Sequence, residues 1–288
     1  MSLTIQQKIQ NAHHLLQDKK LPAIPEEVLL LREELTKKYP NSVNIANLIA
    51  KNPENLSLFL KIANTNVVKQ DEPINDVKAA VNLIGLGDLF NLYVSSVLSR
   101  TLIANPAEAE VMNEGMQVGI VAAELSYWVY DVSRSEAFML GLLQNIGYLF
   151  MLEKFADYET QINRLKVSPL RQFEAEEARY QTDHAVLSSI LGKKWGIPEK
   201  VVKAVLFHHD AEFHCKLHNH PTIANLVALV MVSSYIVYSS DERYLTQELK
   251  DYGKLGSRHL KLPDEAMKAG RAALQKWGKS GTLMTGSH

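Results

Sequence analysis

Histidine is the residue type in this chain whose placement could do chemistry. His184 follows Thr182-Asp183, and His208-His209-Asp210 close an apolar run. His214, Cys215, His218 and His220 follow within ten residues. Imidazole nitrogen binds borderline divalent metals and titrates near neutral pH, so such a set could hold an ion or move a proton. The run "HDAEFHCKLHNH" has one thiol and no C-x-x-C pair, so it reads as a solvated histidine-rich loop before it reads as a zinc site. His208-His209 at the end of a helical pattern also has a plain reading, since imidazolium is mildly favoured at a helix C-terminus. Other chemistries lack their motifs. Gly85-Leu86-Gly87 lacks the third glycine and the preceding strand of a phosphate loop. No G-x-S-x-G elbow occurs. Ser95-Ser96 and Ser233-Ser234 lie in apolar helices, where their hydroxyls are expected to bond backbone carbonyls.

A second polar feature is the stretch "GLLQNIGYL". Gln144 and Asn145 stand side by side within an apolar run from Phe138 to Leu152. Two adjacent amides at core positions each require partners, because a buried unpaired amide costs about 1–3 kcal/mol.

The elements that must position these residues read as helices throughout. "PEEVLLLREELTKK" has proline and acids at its start and lysines at its end, as the helix dipole favours. Apolar residues recur at three and four spacing in "NIANLIAKN" and "PENLSLFLKIAN". "LGDLFNLYVSSVLSRTLIA", "EAEVMNEGMQVGIVAAELSYWVY" and "SEAFMLGLLQNIGYLFMLEKF" each read as one long helix. Thr182 can cap "DHAVLSSILGKKWG", which Gly196 can end, and Pro198 can start "PEKVVKAVLFHHD". No alternating strand pattern, repeat or low-complexity tract stands out. The expected class is all-α.

Asn105-Pro106 breaks the chain between two helical stretches. This gives an N-terminal helical subdomain over 1–104, a second over 105–240, and a helical extension over 241–288. A chain of 288 residues can bury a real core, and 46% apolar with 22% charged residues fits a soluble globular protein. Formal net charge is −1, with no long block of like charge, so nucleic-acid binding is not favoured. A single cysteine excludes a disulfide within the chain and suits a reducing cytosol. Met1 to Lys8 lacks the basic start and apolar core of a signal peptide. "TIANLVALVMVSSYIVY" falls short of about 20 clean apolar residues and reads as a buried helix, not a membrane span.

The phrases Leu21–Pro25, Asn52-Pro53, Leu60–Asn64 and Val77–Gly85 stand in an order that resembles the HDOD domain, the HD-related output domain of bacterial signalling proteins. "AFMLGLLQNIGYL", "TDHAVLSSILGKKWGIPEKVVKAVLFHHD" and "NLVALV" continue it, so the resemblance spans roughly residues 20 to 240. It implies kinship to metal phosphohydrolases of the HD superfamily, whose His-Asp doublet stands where this chain has Gln144-Asn145. Those enzymes also use an earlier histidine, here near Glu114, and a late aspartate, here near Met231. His184 and His208 (or His209) match positions where they carry histidine.

Asn for Asp removes the negative charge, and Gln for His removes a good nitrogen donor. With the late carboxylate also missing, a metal that polarises phosphate and activates water has no anchor. The expectation is therefore a non-catalytic bacterial signalling protein of the cytosol. It would act through protein partners whose input comes from a separate chain, with no metal, no cofactor and no membrane. Gln144, Asn145, His184, His208 and His209 would be vestigial site positions, the amides bonding chiefly to His184 and His208. Two alternatives stay open. One is a sensor of a nucleotide or cyclic dinucleotide in the old cleft. The other is residual phosphohydrolase activity from His184, His208, His209 and Asp210.

Overall fold

Side-chain caps set where the helices begin in this computed structural model, which describes residues 3–17, 21–68 and 72–278. Thr4 forms a capping box with Gln7 at Ile5–Leu15, and Ser133 forms one with Glu136 at Arg134–Leu143. Asn41, Asn52, Asp76 and Asn105 cap Ser42–Ala50, Pro53–Ala63, Val77–Leu83 and Pro106–Leu125. Pro53 and Pro106 occupy first-turn positions, where their missing N–H costs nothing. Among the described residues every regular element is helical, so the protein is all-α.

Local differences from the sequence reading are instructive. The cap of His184–Lys194 is Asp183, whose carboxylate accepts from Val186 N–H at 2.8 Å. Thr182, fully buried, instead donates to the Lys8 carbonyl. Gly196 does end that helix, at a φ of 64° open to glycine. "SEAFMLGLLQNIGYLFMLEKF" is two helices, Arg134–Leu143 and Gly147–Lys154, broken at the two amides.

Pro221–Tyr238 runs through the centre, and Leu226 to Val232 have no exposure at all. It is long and apolar enough to cross a membrane by composition, yet 72% of its length is buried within the fold. It packs against Pro106–Leu125, Arg134–Leu143 and Glu199–Phe207, and Gln247–Leu260 covers it from outside. Asp264–Trp277 lies mainly on Pro106–Leu125. Helices Pro106–Leu125 and Arg134–Leu143 cross with backbones nearly touching. A Cβ on Gly141 would stand 2.4 Å from the Gly119 nitrogen. Helices Glu26–Leu35 through Leu86–Thr101 form an adjoining layer, joined to this centre where Leu86–Thr101 meets Arg134–Leu143.

Ile5–Leu15 packs mainly on His184–Lys194. Lys8 inserts between Asp183 and Glu177, at 3.0 and 2.5 Å, and Asn11 donates to the Gln181 carbonyl. The last ten residues of the extension, with His288, lie outside the described residues.

Candidate functional site

The break at residues 144–146 leaves backbone groups that a continuous helix would pair. Ser188 supplies the partners: its hydroxyl donates to the Gln144 carbonyl at 3.0 Å and accepts from Gly147 N–H at 2.7 Å. This stitches the doublet turn to the helix that carries His184. The amides themselves face the central helix. Gln144 Nε2 donates to Ser234 Oγ at 3.1 Å, and Asn145 Nδ2 donates to the Tyr238 hydroxyl at 2.9 Å.

This corrects the expectation that the amides bond to His184 and His208. Ser234 and Tyr238 lie about one helical turn apart on one face, which matches two adjacent amides emerging from a turn. Ser234 is thus drawn away from the backbone bonding expected of it, whereas Ser95, Ser96 and Ser233 do bond carbonyls of their own helices. Asn145 Oδ1 is buried without a partner. Tyr238→Phe would orphan the Nδ2 side as well and is expected to cost about 1–3 kcal/mol, read as a fall in urea midpoint. An effect much below 1 kcal/mol would mean that the bond contributes little.

The histidines converge without the amides. His184, His208 and His209 are all buried, and one donor nitrogen from each lies within 4.8 Å of the others. His184 Nε2 and His208 Nε2 face each other at 3.4 Å. His208 Nδ1 donates to the Val205 carbonyl at 2.6 Å, the last turn of its own helix fixing its tautomer. The Tyr252 hydroxyl donates to the His208 carbonyl at 2.7 Å. His209 is sandwiched between Phe173 and Tyr252, with ring centroids at 4.8 and 5.9 Å. Neither of its ring nitrogens has a hydrogen bond of ordinary geometry.

Glu176, on the helix Pro169–Tyr180, completes the group. It is fully buried; its Oε1 accepts from the Tyr158 hydroxyl at 2.5 Å and from His184 N–H at 2.9 Å. Its Oε2 lies 2.8 Å from His184 Nδ1. Burial raises the Glu176 pKa to about 8, against the opposing pull of Tyr158, the His184 N–H and Lys8. Burial also lowers His184 and His208 to about 3, the latter aided by the neighbouring His184, and pushes His209 well below its usual value. At neutral pH the Glu176–His184 contact is therefore a hydrogen bond between uncharged groups. One proton arrangement satisfies the chain: Glu176 donates to His184 Nδ1, His184 Nε2–H to His208 Nε2, and His208 Nδ1–H to Val205.

Sequence reasoning missed Glu176, Tyr158, Phe173 and Tyr252. Glu176 sits among four other acids and bases in "RQFEAEEAR", a stretch that looks solvated from end to end. Its only signal is that Phe173 and Glu176 share a face at three-residue spacing. The histidine-rich loop does not converge: His214, Cys215, His218 and His220 are exposed. Asp210 lies outside the cluster, ion-paired to Lys216 at 2.6 Å.

Residues 21–211 match the HDOD domain. The chain belongs to the HDOD family. Among curated proteins, this HDOD chain is similar to an uncharacterized protein of Treponema pallidum (strain Nichols), 21% identical over 193 residues, 66% of this chain and 38% of that protein. The chain thus spans well under half the length of that relative. Its fold is similar to an HDOD domain protein of unknown function from Geobacter sulfurreducens. The TM-score is 0.69 at 18% identity, covering 97% of each chain. It is equally similar to a candidate metal-dependent phosphohydrolase from Shewanella amazonensis SB2B. There the TM-score is 0.69 at 17% identity, covering 94% of this chain and 99% of that one. At these identities the likeness is one of fold.

The metal centre implied by the HD kinship does not fit these residues. The doublet amides are spent on Ser234 and Tyr238, and Met231 is a buried thioether. Glu114, near the earlier histidine position, is paired with Lys166 at 2.5 Å. Among the described residues no free carboxylate faces the amides to bridge two ions, and no hydrolytic step follows from them. The three imidazoles form a separate donor set.

Proposed function

We propose that this HDOD protein is a non-catalytic signalling module of a bacterial cytosol that works through a protein partner. The observation that carries the reading is the orientation of Gln144 and Asn145. Both are turned into the central helix as structural amides, and neither is aimed at the histidines. Metal-dependent phosphoester hydrolysis needs an ion that polarises the phosphate, a generated nucleophile and access for the substrate. Gln144, Asn145, His184 and His208 are each at most 6% exposed, and His209 is 9% exposed. A phosphoester could reach them only by opening the core.

Family membership supports a signalling role. A partner surface is supported by Tyr127 and Tyr130, exposed at 68% and 83% on the connection into Arg134–Leu143. Tyrosine is favoured at interfaces because a rigid amphipathic ring buries much area at little entropic cost. The small-ligand alternative would place a nucleotide at the same buried residues and would require the same opening.

The test is hydrolysis of phosphomonoesters, phosphodiesters and cyclic dinucleotides with magnesium, manganese or zinc supplied. No turnover above buffer is expected. Turnover that disappears in His184→Ala would overturn the reading.

A further inference from the structure

We propose that the cleft between Glu26–Leu35 and the starts of Leu86–Thr101 and Arg134–Leu143 binds a small zwitterion, an α-amino acid with an apolar side chain. Its volume is about 490 Å³, within the range of small-molecule sites. It lies at the joint between the N-terminal layer and the centre, and no residue of the histidine cluster lines it.

Two fixed acceptors are the first support. Ser135 is 1% exposed and donates its hydroxyl proton to Asp88 Oδ1. With that proton spent, Ser135 accepts from Asn91 Nδ2 at 2.9 Å, which orients the amide with Oδ1 away from Ser135. Asn91 is 4% exposed and lines the cleft, yet its Oδ1 has no hydrogen-bond partner among the described residues. Buried polar groups are normally satisfied, so this oxygen calls for a donor. Asp88 stands one turn earlier on the same helix face, and its second oxygen is likewise without a partner there. An ammonium group suits the pair.

Donors in the same cleft are the second support. Gly85 gives Leu86–Thr101 no side-chain cap, so the N–H groups of its first turn are left unpaired. A Cβ on Gly85 or Gly87 would meet nothing within 4 Å. Packing therefore does not require these glycines, and they leave the helix start open to close approach. Arg32 enters from Glu26–Leu35. It donates to the Trp195 carbonyl and lies 5.3 Å over the Phe90 ring, but its Nε is buried without a partner. Among the described residues no carboxylate pairs with it. A guanidinium beside a free helix start suits a carboxylate.

Charge narrows the ligand. Asp88 and Glu136 both line the cleft, and Glu136 is paired with Lys200 at 2.7 Å. A phosphate dianion would meet the like charge of Asp88, whereas a zwitterion sets its ammonium there. Leu35, Phe90 and Pro198 offer apolar surface to a side chain. A ligand so held touches both layers at their joint and gives the signalling module a small-molecule input. This inference goes beyond the partner-binding reading and does not depend on it.

The experiment is calorimetric titration of the full chain with L-leucine, 4-methylpentanoate, isopentylamine and inorganic phosphate. We expect one saturable millimolar or tighter site for L-leucine and no binding of phosphate. The two analogues, lacking the ammonium or the carboxylate, should each bind about tenfold more weakly, the loss of one charge-assisted contact. Asp88→Asn should weaken L-leucine about tenfold without weakening 4-methylpentanoate. Gly87→Ala sets a methyl over the helix start and should weaken both; it keeps the test valid if Asp88→Asn does not fold. Absence of saturable L-leucine binding overturns the proposal. So does an analogue or phosphate that binds as tightly as L-leucine, or unchanged L-leucine affinity in both variants.

Discussion

Lowering the pH of the chelator-treated protein from about 6.5 towards 4.5 is expected to unfold it steeply. Three buried imidazoles drive this. In the unfolded chain they take up protons below about pH 6.5. In the folded chain burial holds His184 and His208 down to about 3 and His209 well below its ordinary value. A group with a depressed folded basicity stabilises the fold above its unfolded pKa and loses that contribution as the pH falls.

Glu176 acts in the opposite sense. It keeps its proton in the fold up to about pH 8, whereas unfolded it gives it up above 4.5. Between pH 4.5 and 6.5 the unfolded chain thus gains three protons and the folded chain holds one extra. The net of two protons gives a slope of at most about 2.7 kcal/mol per pH unit. Above pH 6.5 Glu176 alone remains, so stability declines gently towards pH 8.

The groups facing the cluster modulate this. Lys8 lowers the His184 pKa and Asp183 raises it. Asp183, itself raised by burial, blunts the slope near its acid end. Tyr148, Tyr158 and Tyr252 are pushed above their usual range and stay neutral throughout. Urea midpoints across this range should trace a dome with its top near pH 7. A midpoint that is flat from pH 7 to 5 would show that the histidines are not buried as described.

Gly147→Ala is the second large effect expected. A Cβ there would meet the His184 carbonyl oxygen at 2.0 Å, its carbon at 2.7 Å and its Cα at 2.8 Å. All three are backbone atoms at a helix start, so no side chain can swing aside. Overpacking in a core typically costs 1–3 kcal/mol, and a clash with fixed backbone belongs at or beyond the top of that range, about 3 kcal/mol or more. The shift would also strain the Gly147–Ser188 hydrogen bond that closes the doublet turn. Gly87→Ala is the internal control. Nothing stands within 4 Å of its added methyl, in the first turn of Leu86–Thr101, so that change should be neutral or stabilising. Equal melting temperatures for the two variants would refute the close approach.

These effects turn on contacts that the sequence discloses unevenly. Helix starts were legible where proline marks them locally, as at Asn52-Pro53 and Asn105-Pro106. His184 and His208 were legible as site positions because the family's phrases surround them. The break at Gln144–Ile146 was not, since leucines and aromatics on both sides continue the helical period straight through it. The amides' partners were not legible either. Ser234 and Tyr238 are about ninety residues away and look like ordinary members of an apolar helix. Glu176 was hidden for the opposite reason, being one acid among many in a stretch whose composition suggests solvent on every side.

The anchoring of Ile5–Leu15 bears on modularity. The family match runs from residue 21 to 211, yet two supports of the histidine cluster lie beyond its ends. Lys8, which ion-pairs with both Asp183 and Glu177, precedes it. Tyr252, which holds the His208 carbonyl and flanks His209, follows it. A fragment cut at the family's own borders would strand a buried carboxylate and open one wall of the cluster. The segment that the family model matches is therefore not a transferable unit in this chain, and its flanks are as much a part of the site as the histidines are.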